Sequence, residues 1–308
     1  MTPARPAAIG APAPRTLVLE TRRGLIAAVA AYTMWGLFPL FFRLFDGASA
    51  FEVLAHRIAW SLPVAALVLS VRKQWRETLT AFMTPAVVGM LAASAAVISF
   101  NWLVYVWSVF NDRVMEASLG YYINPLMYVA AGVLFLGERL TRLKAASVAL
   151  ASLGVLILSV GGGVFPWVSL ALAVSFTGYG FLRKTVKTGA VPGLFVEIVF
   201  LTPFALGYLW WLGATGAAHF PDAGLAQQTF FALAGPVTVL PLTLFALAAR
   251  RLTLTTLGFI QYIGPTLQFF CGLAFGEPFT VHHAICFGLI WTALALFSFD
   301  AARRSPTS

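Results

Sequence analysis

The sequence predicts an all-α integral membrane protein: ten transmembrane helices in two inverted five-helix repeats, with both termini cytoplasmic. Three observations predict it. Hydrophobic residues make up 60% of the chain and charged residues only 10%, and the mean hydropathy is +0.86. Soluble globular chains carry about a quarter charged residues, so this chain cannot cover a water-facing surface. Apolar runs of membrane-spanning length recur along nearly its whole length. Two of those runs match each other, and the charges around them change side between the two halves.

About 20 apolar residues, at 1.5 Å rise each, cross the hydrocarbon layer. Ten runs meet that length: 24–44, 50–71, 85–110, 114–136, 143–161, 164–183, 191–212, 229–249, 253–276 and 281–300. Residues 1–21 are Ala/Pro-rich and lack the apolar core of a secretory signal, so they are expected to form a disordered cytoplasmic tail. Arg22-Arg23 resembles a twin-arginine signal, but the polytopic pattern that follows argues against export. The expected division is a first repeat over 22–161, a second over 162–301 and a cytoplasmic tail over 302–308.

Lysine and arginine set the orientation, because they accumulate in cytoplasmic loops. With the N-terminus inside, that side receives seventeen of the twenty, including Arg72, Lys73, Arg76, Arg142, Lys144, Arg183, Lys187 and Arg251. Only Arg43, Arg57 and Arg113 fall toward the other side.

The repeat is visible in Val114–Leu140 and Leu252–Phe279. Leu119-Gly120 falls on Leu257-Gly258, Ile123 on Ile263, Pro125 on Pro265, Gly132 on Gly272 and Gly137-Glu138 on Gly276-Glu277. Five spans is an odd number, so a tandem copy inserts upside down. The loops agree. The loop after the second span is basic, whereas its counterpart around His219 and Asp222 has no Lys or Arg. The loop after the third span holds Asp112, Arg113 and Glu116, while its counterpart holds Arg250-Arg251.

Several function classes drop out. The net charge of +9 forms no basic-aromatic patch, so no nucleic-acid partner is expected. Cys271 and Cys286 lie inside apolar runs, which disfavours a disulfide. There is no HExxH, Walker or CxxC motif, and His282-His283 point to different helix faces, so neither metal, cofactor nor enzymatic activity is expected. The driving force must come from an ion gradient, a solute gradient or another protein.

The stretches GLIAAVAAYTMWGLFPLFFRL (24–44), FEVLAHRIAWSL (51–62), FNWLVYVWSV (100–109), EASLGYYINPL (116–126), TTLGFIQYIGPTLQF (255–269) and FGEPF (275–279) resemble the drug/metabolite transporter superfamily. Within it the likeness is to the EamA group and its RarD, or chloramphenicol-sensitivity, branch. The resemblance covers nearly the whole chain from Gly24 to Asp300. It implies ten helices in two inverted EamA repeats in a bacterial inner membrane, and it names no cargo.

Ionisable groups inside lipid cost about 2.5–3.5 kcal/mol each on insertion scales, so they mark function or a paired contact. Glu52, His56 and Arg57 open the second span from the outer side, and Glu52 and His56 share a helix face. One reading is a proton-sensitive pair, with Arg57 or Arg43 as counter-ion. The other is an interfacial cluster whose long side chains snorkel to water. Glu197, near the inner end of the seventh span, is expected to be the inverted partner of Glu52, either in coupling or neutralised by Lys184 or Lys187. The expected ion-coupling set is Glu52, His56 and Glu197.

Pro125 and Pro265 are expected to break or kink their spans near the midplane, either exposing backbone groups to a solute or shaping packing. Side-chain amides accompany both. The expected substrate-binding set is Asn101, Tyr105, Tyr121, Asn124, Tyr179, Gln261 and Tyr262, with Tyr32, Trp35 and Trp102 as further candidates for a cavity wall. The sequence thus points to a secondary transporter moving a small organic solute, drug or metabolite by alternating access, with proton coupling and a homodimer left open. A membrane-embedded enzyme or lipid-handling protein is the alternative, and a scaffold or sensor the third reading.

Overall fold

The computed structural model describes residues 14–45, 47–136, 142–161, 165–249, 251–252, 256–257 and 260–304; the side chains of 14–18, 128–136, 184 and 301–304 are not described. The expected tails 1–13 and 305–308, and Glu138, Arg139, Arg250 and Gly162-Gly163, fall outside those residues. The described helices are α1 (Pro14–Gly36), α2 (Phe38–Phe42), α3 (Ala50–Arg72), α4 (Trp75–Phe82), α5 (Pro85–Phe110), α6 (Val114–Leu136), α7 (Arg142–Gly161), α8 (Trp167–Thr185), α9 (Ala190–Thr215), α10 (Leu225–Ala249), α11 (Ile263–Ala274) and α12 (Val281–Arg304). Six of them, α3, α5, α7, α9, α10 and α12, are long and apolar enough to cross a membrane by length and composition. Their outward faces carry large apolar side chains, among them Val71, Val160, Phe204 and Trp210. That is the surface expected of a protein solvated by lipid.

Four local differences from expectation have physical causes. Residues 14–21 are helical and not a disordered tail, and Glu20 in that segment accepts from Arg251 Nε at 2.6 Å, tying α1 to the end of α10. The first apolar run is not one helix: it stops at Gly36 and restarts as α2, with Pro39 in its first turn, a position where the missing N–H costs nothing. The loop after α3 contains α4, whose amphipathic pattern is too short to span. Pro125 sits mid-helix in α6 without interrupting it, whereas Pro265 sits in the first turn of α11, behind a turn at Gln261-Tyr262. The two prolines therefore do different things.

The packing has an exchange property. Swapping α1 with α8, α3 with α9, α5 with α10, α6 with α11 and α7 with α12 maps the principal contacts between the halves onto one another. The α3–α9, α6–α11 and α7–α12 contacts map onto themselves; α3–α10 maps onto α5–α9, α6–α8 onto α1–α11, and α1–α10 onto α5–α8. The three pairs that contact their own counterparts run antiparallel. Phe51 at the start of α3 meets Tyr208 late in α9, ring centroids 6.2 Å apart, while Ala65 and Leu69 pack on Val191 and Leu194 at its start. Gly161 at the end of α7 lies against His282 at the start of α12, and Gly154 against the Cys286 carbonyl. Tyr122 meets Thr266 at 2.6 Å, and Met115, earlier in α6, meets Gly272, later in α11.

Close approach depends on glycine at Gly235, where a Cβ would enter the Trp60 backbone of α3. Several buried hydroxyls bond within their own helices, as in Ser61 to the Arg57 carbonyl at 2.7 Å and Thr202 to the Ile198 carbonyl at 2.7 Å. Carboxylates close several chain ends. Glu277 accepts from the Val114 and Met115 amides at 2.6 and 2.8 Å, at the start of α6. Glu116 accepts from the Val168 amide at 3.1 Å, and Glu77 from the Gly189 amide at 2.6 Å. The opening turn of a helix has N–H groups with no internal partner, and negative charge is favoured there.

Candidate functional site

Two buried charges stand at matched places. Aligning α3 and α9 on Ala50 and Ala190 puts Pro63 on Pro203 and Arg57 on Glu197. The expected partnership of Glu52 with Glu197 gives way to one between a cation and an anion. Arg57 is 4% and Glu197 1% exposed, so neither reaches water as a snorkelling side chain would.

Glu197 is fully engaged. Ser94 Oγ donates to Oε1 at 2.6 Å, Tyr179 Oη to Oε2 at 3.4 Å, and Arg183 Nη1 lies 3.6 Å from Oε1. The cation seen beside it is Arg183 of α8; the side chain of Lys184, one of the two lysines expected there, lies outside the described ones.

Arg57 has a different shell. Its Nε donates to Thr238 Oγ1 of α10 at 2.6 Å. Its guanidinium carbon lies 4.3 Å from the Trp102 ring centre and 5.7 Å from those of Phe38 and Phe42. Nη1 is buried with no hydrogen-bond partner among the described residues. Next to it on α5, Asn101 Nδ2 donates to Ser175 Oγ at 2.8 Å and to the Leu172 carbonyl at 3.1 Å, and Tyr121 Oη donates to Asn101 Oδ1 at 3.4 Å. The Tyr105 and Tyr121 rings lie 5.8 Å apart, and the Tyr105 hydroxyl is buried without a partner among the described residues.

Glu52 and His56 do not form the anticipated pair, and neither Arg57 nor Arg43 is the counter-ion of Glu52. Glu52 Oε1 accepts from the His219 and Phe220 amides at 2.8 and 3.0 Å, holding the segment that leads to α10. His56 is packed between the Phe220 and Phe231 rings, 4.6 Å from each. Arg43 pairs with Asp112 and lies over Phe275.

The seven expected substrate residues separate into groups. Asn101, Tyr105 and Tyr121 come together beside Arg57. Tyr179 stands by Glu197. Tyr262 lines a cavity of about 330 Å³ with Tyr122, Thr266, Phe269, Phe270, Trp291 and Leu294, and Gln261 precedes it in the turn before α11. Asn124 is buried with Oδ1 unpartnered among the described residues. Sequence reasoning missed Thr238, Ser94, Arg183, Tyr122 and Gln268. Gln268 Nε2 donates to the Trp35 carbonyl at 3.0 Å, just before the break between α1 and α2; the Gly-Leu-Phe-Pro run at 36–39 was the signal of that break.

A bundle with apolar outer faces and polar groups sequestered among its helices is a multi-pass membrane protein. The profile of the EamA-like transporter family matches residues 22–160. An uncharacterized transporter of Vibrio cholerae is 44% identical over 93% of this chain and 97% of its own. Protein RarD of Streptomyces exfoliatus is 44% identical over 94% and 92%, and Protein RarD of Escherichia coli K12 is 41% identical over 92% and 96%. A solved crystal structure shares the fold at 17% identity, with a TM-score of 0.59 over 91% of this chain and 98% of its own. The chain belongs to the EamA-like transporter family, in its RarD branch within the drug/metabolite transporter superfamily, and is a membrane transporter.

Proposed function

We propose that the chain is a secondary transporter that carries a small organic solute across the bacterial inner membrane by alternating access. Ten spans form two inverted repeats, over 22–161 and 162–301, with both termini cytoplasmic. The observation that carries this reading is the antiparallel contact of α3 with α9, α6 with α11 and α7 with α12, within a contact pattern unchanged when the halves are exchanged. Two units packed this way can rock against each other and open the space between them to either side in turn. The Lys and Arg bias supports the orientation.

Proton coupling is assigned to Glu197, whose carboxylate is buried among Ser94, Tyr179 and Arg183. Glu52 and His56 hold the segment before α10 in this reading. Solute-loaded proteoliposomes test transport directly: counterflow supports it, and its absence for every member of a broad metabolite panel overturns it. Single cysteines at Lys73 and Asp222 test the topology. Labelling of both from the same side of the membrane would end the inverted arrangement.

A further inference from the structure

We propose that Arg57 anchors the carboxylate of the transported solute, with the Tyr105 hydroxyl as a second donor and the rings of Trp102, Phe38 and Phe42 around its apolar body. This rests on the transporter reading and names the substrate class of that site.

Moving an ion out of water costs several kcal/mol unless a partner and hydrogen bonds replace the lost hydration. Glu197, at the matched position in the second half, has Arg183 beside it. Among the described residues no carboxylate pairs with Arg57. Asp112 is taken by Arg43, Glu116 by Arg113, Glu52 by backbone amides and Glu277 by the start of α6. The Trp102 ring offers its negative face to the guanidinium at 4.3 Å, but a ring face does not replace an in-plane acceptor for Nη1. A second donor, the Tyr105 hydroxyl, is stranded in the same neighbourhood: the Phe42 ring centre lies 5.7 Å from the Arg57 guanidinium carbon and 6.1 Å from the Tyr105 ring centre.

One feature of a ligand satisfies both groups: an anionic oxygen pair. A carboxylate accepts several hydrogen bonds, matches the planar guanidinium fork and restores neutrality. A cationic solute is repelled, and a neutral one leaves the charge uncompensated. The shell comes from α2, α3, α5 and α10, so it contains helices of both halves, and a solute bound there feels their relative movement.

The test uses the purified full-length chain in detergent, with unfolding midpoints measured against benzoate, cinnamate and hexanoate, and against benzamide and benzylamine as neutral and cationic matches. Carboxylates are expected to stabilise the wild type and the uncharged or cationic matches are not. Arg57→Met abolishes the effect, and Tyr105→Phe weakens apparent affinity about tenfold through loss of one charge-assisted hydrogen bond. If Arg57→Met does not fold, Tyr105→Phe decides the matter. No carboxylate binding to wild type, equal binding of benzamide, or unchanged affinity in the variants overturns the proposal. Counterflow of labelled benzoate separates it from the transporter reading. Carboxylate binding with no counterflow of any member of the metabolite panel removes transport and keeps the anion site, whereas flux of neutral solutes unaffected by Arg57→Met keeps transport and removes the anion site.

Discussion

Glu277 joins the two halves at one end of the bundle, and its removal has a calculable consequence. Its oxygens accept from Val114 N at 2.6 Å and Met115 N at 2.8 Å, and both of those residues are buried. A hydrogen bond to a charged group contributes about 1.5–3 kcal/mol, and a buried amide left without a partner carries a desolvation penalty of similar size. Glu277→Ala removes both acceptors, for a loss of about 3 kcal/mol or more. Glu277→Gln keeps one carbonyl oxygen and is expected to lose roughly half as much. At roughly 2–4 °C per kcal/mol for a chain of this size class, Glu277→Ala lowers the unfolding midpoint by about 6–12 °C, with Glu277→Gln in between. Size-exclusion of detergent-solubilised protein after graded heating measures it. An alanine variant within about 1 °C of wild type would show that water or another group already serves the start of α6, and the reasoning about carboxylate-closed helix ends would fall with it.

Three further outcomes are expected. Gly235→Leu drives a side chain into the Trp60 backbone and destabilises by about 1–3 kcal/mol, whereas Gly207→Leu, where a Cβ meets nothing within 4 Å, is tolerated; the same heating assay compares them. Glu197→Gln makes flux in proteoliposomes insensitive to an imposed pH gradient while solute counterflow persists; gradient-dependent flux in the variant would place coupling elsewhere. Asn124→Ala and Gln261→Ala each impair transport with expression intact, and wild-type kinetics in both would move the solute pathway away from the two proline segments.

The legible part of this protein was one-dimensional. Span length, set by the thickness of the hydrocarbon layer, is a property of a string, and six described helices reach it. The repeat was visible for the same reason, because the INP and IGP segments keep their neighbours. The helix over 14–21 was less legible, because the contact made there is distant in sequence: Glu20 meets Arg251, at a separation of 231.

The site divided along the same line. Sequence alone determined that Arg57 and Glu197 sit inside apolar runs, and that lipid makes each group expensive. Only the tertiary structure decided that Arg57 reaches Thr238, 181 positions away, while Glu197 meets Ser94, 103 positions away, and Arg183. Helical spacing fixes which side chains share a face of one helix. It carries no information about which other helix covers that face, and in a bundle solvated by lipid that neighbour decides whether a buried charge is neutralised or left to bind.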